Sequence, residues 1–167
     1  MILGMPLSTF TTLHVIISLV AIAAGVVVLV GMLAGRSPGG MTALFLATTA
    51  LTSMTGFLFP FDHLLPSHIV GIISLVALAV ALLALYGFHL RGAWRWLYVV
   101  GALLAFYLNA FVGVVQAFQK LGVLHPLAPT QSEPPFLAAQ IGLLVLFLVL
   151  GFLAARRFHP ASGAYGA

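Results

Sequence analysis

No cysteine occurs in the 167 residues. Disulfides, thiolate nucleophiles, iron–sulfur clusters and cysteine-type zinc sites are therefore excluded. Charge is almost as scarce: Asp and Glu total 2, Lys and Arg total 6, and charged residues make up 5% of the chain. A soluble domain carries about 25% charged residues, so this chain could not cover itself in water. The net charge of +4 does not imply nucleic-acid binding, because the basic residues are scattered and form no patch. Hydrolytic motifs are missing too, with neither a GxSxG elbow nor an HExxH helix. The opening "MILGMPLSTF" has no basic region and no A-x-A site, so the first apolar segment is expected to be retained.

What is present is apolar, with hydrophobic residues at 63%. A helix that crosses a bilayer needs about 20 such residues. Five stretches qualify, at about 9–34, 41–60, 66–88, 95–118 and 135–156. Short polar or proline-containing breaks separate them, and the one long loop is 119–134. That loop ends in "TQSE", the pattern of a capping box from Thr130 to Glu133. The expected fold is all-α, one transmembrane domain over 1–167 built as a bundle of five transmembrane helices. Arg36, Arg91, Arg95, Arg156 and Arg157 fall on one side of that arrangement, against Lys120 alone on the other. By the positive-inside rule the N-terminus lies outside and the C-terminus in the cytoplasm.

Polar residues in the spans then show where chemistry can occur. His14 and His68 both fall about 12–14 Å outside the midplane, and Gln116 reaches a matching level from the fourth span. Helical spacing extends each into a face: His14, Ser18, Ala21 and Gly25; His68, Gly71 and Ser74; Asn109, Gly113, Gln116 and Lys120. The second span adds Thr49, Thr52, Ser53 and Gly56, and the fifth adds Gln140. Polar groups in hydrocarbon are costly unless paired, so these faces should turn towards one another as a pocket in the outer half. The serines and threonines are expected mainly as interhelical glue, the ordinary role of small polar residues in membranes. His125 is expected at the surface of its loop, and His89 and His159 at the inner interface.

The segment "FPFDHLLPSH" brings Asp62, His63 and His68 close together in sequence. Two cofactors fit such residues. Imidazoles from two helices can hold a b-type haem, the covalent type being excluded by the lack of C-x-x-C-H, and Gly71 would make room for the macrocycle. Alternatively His14, His63, His68, Asp62 and Glu133 can hold a transition-metal ion, since imidazole and carboxylate suit zinc, copper or iron. Asn109 and Gln116 complete the haem-type or quinone-type pocket. Either cofactor points to membrane electron transfer or quinone chemistry, with the lipid bilayer and a quinone or a larger membrane complex as partners. The competing expectation is a non-catalytic accessory or scaffold subunit of such a complex, and no residue is assigned a catalytic role.

The stretches "LPSHIVGIISL" and "APTQSEPPF" are similar to uncharacterised small multi-pass bacterial inner-membrane proteins, over about Leu13 to Phe158. The resemblance implies a bacterial inner (cell) membrane and carries no activity.

Overall fold

A computed structural model describes residues 2–36, 39–60 and 66–159. The elements are α1 (Leu7–Leu33), α2 (Gly39–Gly56), α3 (Pro66–Leu82), α4 (Trp94–Lys120) and α5 (Pro134–Arg157). A π-helical turn, Leu83–Gly87, prolongs α3, and a 3-10 turn, His125–Leu127, interrupts the long loop. Each helix begins and ends within six residues of its expected bounds: α3 gives way to the π turn after Leu82, and α2 stops at Gly56 because Phe57 and Leu58 form a turn.

The ends follow from local chemistry. Pro6 precedes α1 in an extended conformation, and Gly35 closes it in the left-handed region at φ +70°. The Gly35 N–H donates to Met32 O at 3.0 Å and the Arg36 N–H to Gly31 O at 2.8 Å, the paired bonds of a Schellman stop. Pro134 and Pro135 occupy the first positions of α5, where a missing N–H costs nothing. Thr130 does not cap that helix. Glu133 stands at the N-cap and its carboxylate turns back, taking bonds from the Thr130 N–H (3.1 Å), the Thr130 hydroxyl (2.9 Å) and the Ser132 N–H (3.0 Å). The expected capping box is thus replaced by a tied turn before the helix, because the two prolines fix the helix start three residues later than the box requires.

Four helices, α1, α3 with its π turn, α4 and α5, are long and apolar enough to cross a membrane, which marks the chain as a membrane protein. The 18 residues of α2 include Thr42, Thr48, Thr49, Thr52, Ser53 and Thr55, which lower its hydropathy. Their hydroxyls are partly hidden along the helix itself: Thr48, Thr52 and Thr55 donate to carbonyls one turn back. Successive helices pack side by side, and α4 touches all the others, so it forms the axis of the bundle.

The two ends of the bundle differ. At the arginine end, Val28, Met32, Phe45, Leu78, Leu85 and Tyr98 belong to one continuous dry core. Close approach there depends on glycine. A Cβ on Gly101 would sit 2.7 Å from the Ala77 carbonyl oxygen, and one on Gly25 would meet the Phe106 ring at 2.8 Å. Small residues let helix backbones touch where no hydrophobic effect drives them together. Arg95 closes this end by donating from Nη1 to Ala155 O (3.2 Å) and Phe158 O (2.6 Å), the terminal carbonyls of α5 and its exit. At the opposite, histidine end the helices part and leave a cavity.

Candidate functional site

The cavity measures about 510 Å³ and lies among α1, α2, α3 and α4. That volume falls in the range of small-molecule and cofactor sites. From α1 it is lined by Thr11, His14, Ser18 and Ile22, and from α2 and its exit by Thr52, Ser53, Gly56, Phe57 and Phe59. Ser67, His68, Gly71 and Ser74 come from α3, and Asn109, Gly113, Gln116 and Lys120 from α4. The helical stripes on α1, α3 and α4 therefore meet in one space, which the 3.6-residue period requires if each stripe faces inward.

Both intramembrane histidines are in this lining. His14 is half-buried, and its Nδ1 lies 2.8 Å from the Thr55 hydroxyl. That hydroxyl has one proton and directs it to the Leu51 carbonyl at 2.6 Å. With the proton so directed, the oxygen accepts from His14 Nδ1–H; turned towards the ring, the same hydroxyl would donate to Nδ1 instead. In the first arrangement the neutral ring has its lone pair on Nε2, where a metal centre or a hydrogen-bond donor would take it. Phe59 packs edge-on against the same ring at 5.2 Å. His68 is 4% exposed and lies 5.6 Å from the Phe57 ring.

Asn109 is buried opposite them, its Oδ1 accepting from the Ser18 hydroxyl at 2.9 Å. Its Nδ2 has no hydrogen-bond partner among the described residues. Ser53 donates to Ser74 at 3.1 Å, so these two act as glue between α2 and α3. Thr49 is buried in the bundle, away from the cavity lining. Gln140 also points elsewhere, donating from Nε2 to Phe111 O at 3.3 Å and tying α5 to α4. Gly71 makes no room for a macrocycle, because the Phe57 ring occupies the space where a Cβ would stand, at 3.1 Å. Gly56 supplies the open volume instead: a Cβ there would meet only His14 Cε1, at 4.0 Å.

Of the larger ligand set, Glu133 stands apart from the cavity. Glu133 is tied to Thr130 and Ser132 and is not part of the lining. Desolvation pushes its pKa up, but those hydrogen bonds outweigh it and hold the carboxyl below its ordinary value. Asp62 and His63 lie outside the described residues. His125 places Nδ1 3.3 Å from Phe118 O in the loop. Among the described residues no group of three or more His, Asp or Glu side chains is placed to share an ion.

Thr55, Phe57 and Phe59 are contributors that the stripes did not single out. Thr55 had a signal, since Thr48, Thr52 and Thr55 repeat at i, i+4 and i+7. The two phenylalanines had none in a chain with 13 of them. No protein-family model, curated protein or solved structure matches this chain, so the site is interpreted from its own geometry.

Proposed function

We propose that this chain is a five-span protein of the bacterial inner membrane that holds a b-type haem in its outer half for electron transfer at the outer face. The observation that carries the reading is the pair of imidazoles from α1 and α3 on one cavity, one of them held through Nδ1 by Thr55. Haem iron needs only one or two axial side chains, whereas a bare ion in a protein cage usually takes at least three. Among the described residues the lining offers two imidazoles and no carboxylate, which suits axial ligation of haem better than a cage for an ion.

The topology supports the fifth span and the orientation. α1 ends at the arginine end and α3 starts at the histidine end, so α2, packed along both, runs from one end to the other. Its 18 residues extend about 27 Å, close to the hydrocarbon thickness. With the arginines cytoplasmic, the N-terminus and the cavity face outward. Electrons would be exchanged with a quinol or a donor on the outer surface.

The test is the absorption spectrum of protein purified from membranes, with extraction of any tetrapyrrole. The reading predicts a Soret band that shifts on reduction. Protein without that band and without extractable tetrapyrrole contradicts it. A second reading, a scaffold subunit, draws on α5, whose outward row of Leu137, Ile141, Leu144, Leu148 and Phe152 is open to lipid or to another chain. It predicts co-purification with a larger membrane complex and no cofactor of its own.

A further inference from the structure

We propose that the ligand of this cavity is an acid, an amphiphile whose carboxylate is held at the mouth by Lys120 and Gln116. The inference rests on the cavity being a ligand site and adds the chemical class of what enters it. Both side chains line the cavity from α4, one helical turn and so about 6 Å apart along its axis. Lys120 is exposed at the end of α4 and has no salt-bridge partner among the described residues. No acidic side chain is in the cavity lining among the described residues.

Lys120 alone has an ordinary explanation, since a cation in the last turn complements the negative end of the helix dipole. Gln116 has no such account. It is half-buried against an apolar cavity, and its amide bonds to no described residue. Deeper on the same stripe the buried Nδ2 of Asn109, a residue only 7% exposed, also lacks a partner among the described residues. Buried donors are costly unless something accepts from them. The stripe is therefore rich in donors: an ammonium and an amide near the mouth, and a second amide about 10 Å beyond the first. Its complement is a molecule with acceptors and negative charge at its outer end and an apolar body. A carboxylate is acceptor-only, with two oxygens, and matches Lys120 and Gln116 together. Haem, charged at its propionates, belongs to this class, and so does a long-chain fatty acid.

Matched acids and esters separate these cases. Haemin and its dimethyl ester, and palmitic acid and its methyl ester, are titrated into the detergent-purified full chain and into Lys120→Gln. Lys120 is exposed, so that variant is expected to fold, which circular dichroism checks. The proposal predicts that at least one acid binds about tenfold or more tightly than its ester, the range of a charge-assisted hydrogen bond. In Lys120→Gln the ratio should fall towards one. If palmitic acid behaves this way and neither haemin nor its ester binds, the acid site stands and the haem reading falls. If haemin and its ester bind equally and palmitic acid shows no preference, the acid site falls and the haem reading stands. Binding of none of the four overturns both.

Discussion

Replacing Gly101 by alanine tests the closest helix contact in the bundle. The added Cβ would lie 2.7 Å from Ala77 O, 3.3 Å from Ala81 N and 3.4 Å from the Ala81 Cβ. Two of those neighbours are backbone atoms and cannot rotate away. An ordinary carbon–oxygen contact is about 3.3–3.6 Å, so α3 and α4 must separate locally by about 0.6–0.9 Å. A gap of that size forfeits a quarter to a half of the dispersion energy of each affected contact. The contacts at risk join Ala77, Leu78 and Ala81 to Tyr98, Ala102 and Ala105 in the dry core. Overpacking of this kind costs about 1–3 kcal/mol. Gly142 provides the control, since a Cβ there meets nothing within 4 Å. Alanine at that position should be neutral or stabilise α5 by up to about 1 kcal/mol through helix propensity. Thermal unfolding in detergent, followed by far-ultraviolet circular dichroism, compares the two. For a chain of this size Gly101→Ala should lower the Tm by about 2–12 °C, at about 2–4 °C per kcal/mol. A Tm equal to wild type would refute the close approach of α3 and α4.

Gly56→Leu should fill the space beside His14 and weaken haemin binding at least tenfold with Tm little changed; undiminished binding would place the ligand elsewhere. Glu133 has a folded pKa below its ordinary value of 4.5, so its bonds to Thr130 and Ser132 stabilise the folded chain above that value and are lost as pH falls through the lower, folded pKa. A Tm–pH curve should therefore drop less steeply below about pH 4.5 in Glu133→Gln, and superimposable slopes would contradict the assignment. Because the chain lacks cysteine, single cysteines report sidedness without background. In intact spheroplasts a membrane-impermeant maleimide should label Ser132→Cys at once and Ala93→Cys only after permeabilisation, and the reverse pattern would invert the topology.

Much of the cavity could be read from spacing. Period and depth place His14 with Ser18, His68 with Ser74, and Asn109 with Gln116 and Lys120, and in the folded chain all of these line one cavity. Periodicity specifies a face, but it says nothing of which side chain fills which gap. So Gly71 could be taken as free space when the Phe57 ring occupies it, and Gln140 could be placed with the other amides when it braces α4. The Thr55 bond to His14 depends on how α1 and α2 are rotated against each other, a tertiary relation with no signature in either helix. Helix ends were legible where glycine or proline forces the backbone, as at Gly35. They were less so where two signals compete, as when Pro134 and Pro135 override the Thr130 to Glu133 pattern. The π turn after α3 and the turn that follows it, with His89 and Leu90 at φ +48° and +58°, follow from no residue pattern.

The most direct test of the account is haemin titration of the apoprotein beside His14→Ala, His68→Ala and His125→Ala, with the Soret band as readout. One haem per chain should bind to wild type and to His125→Ala, whose imidazole stays in the loop away from the cavity lining. Loss or a marked blue shift of the band should follow either of the other two substitutions. Saturation of all four proteins with the same spectrum would contradict the claim that these two imidazoles form the site.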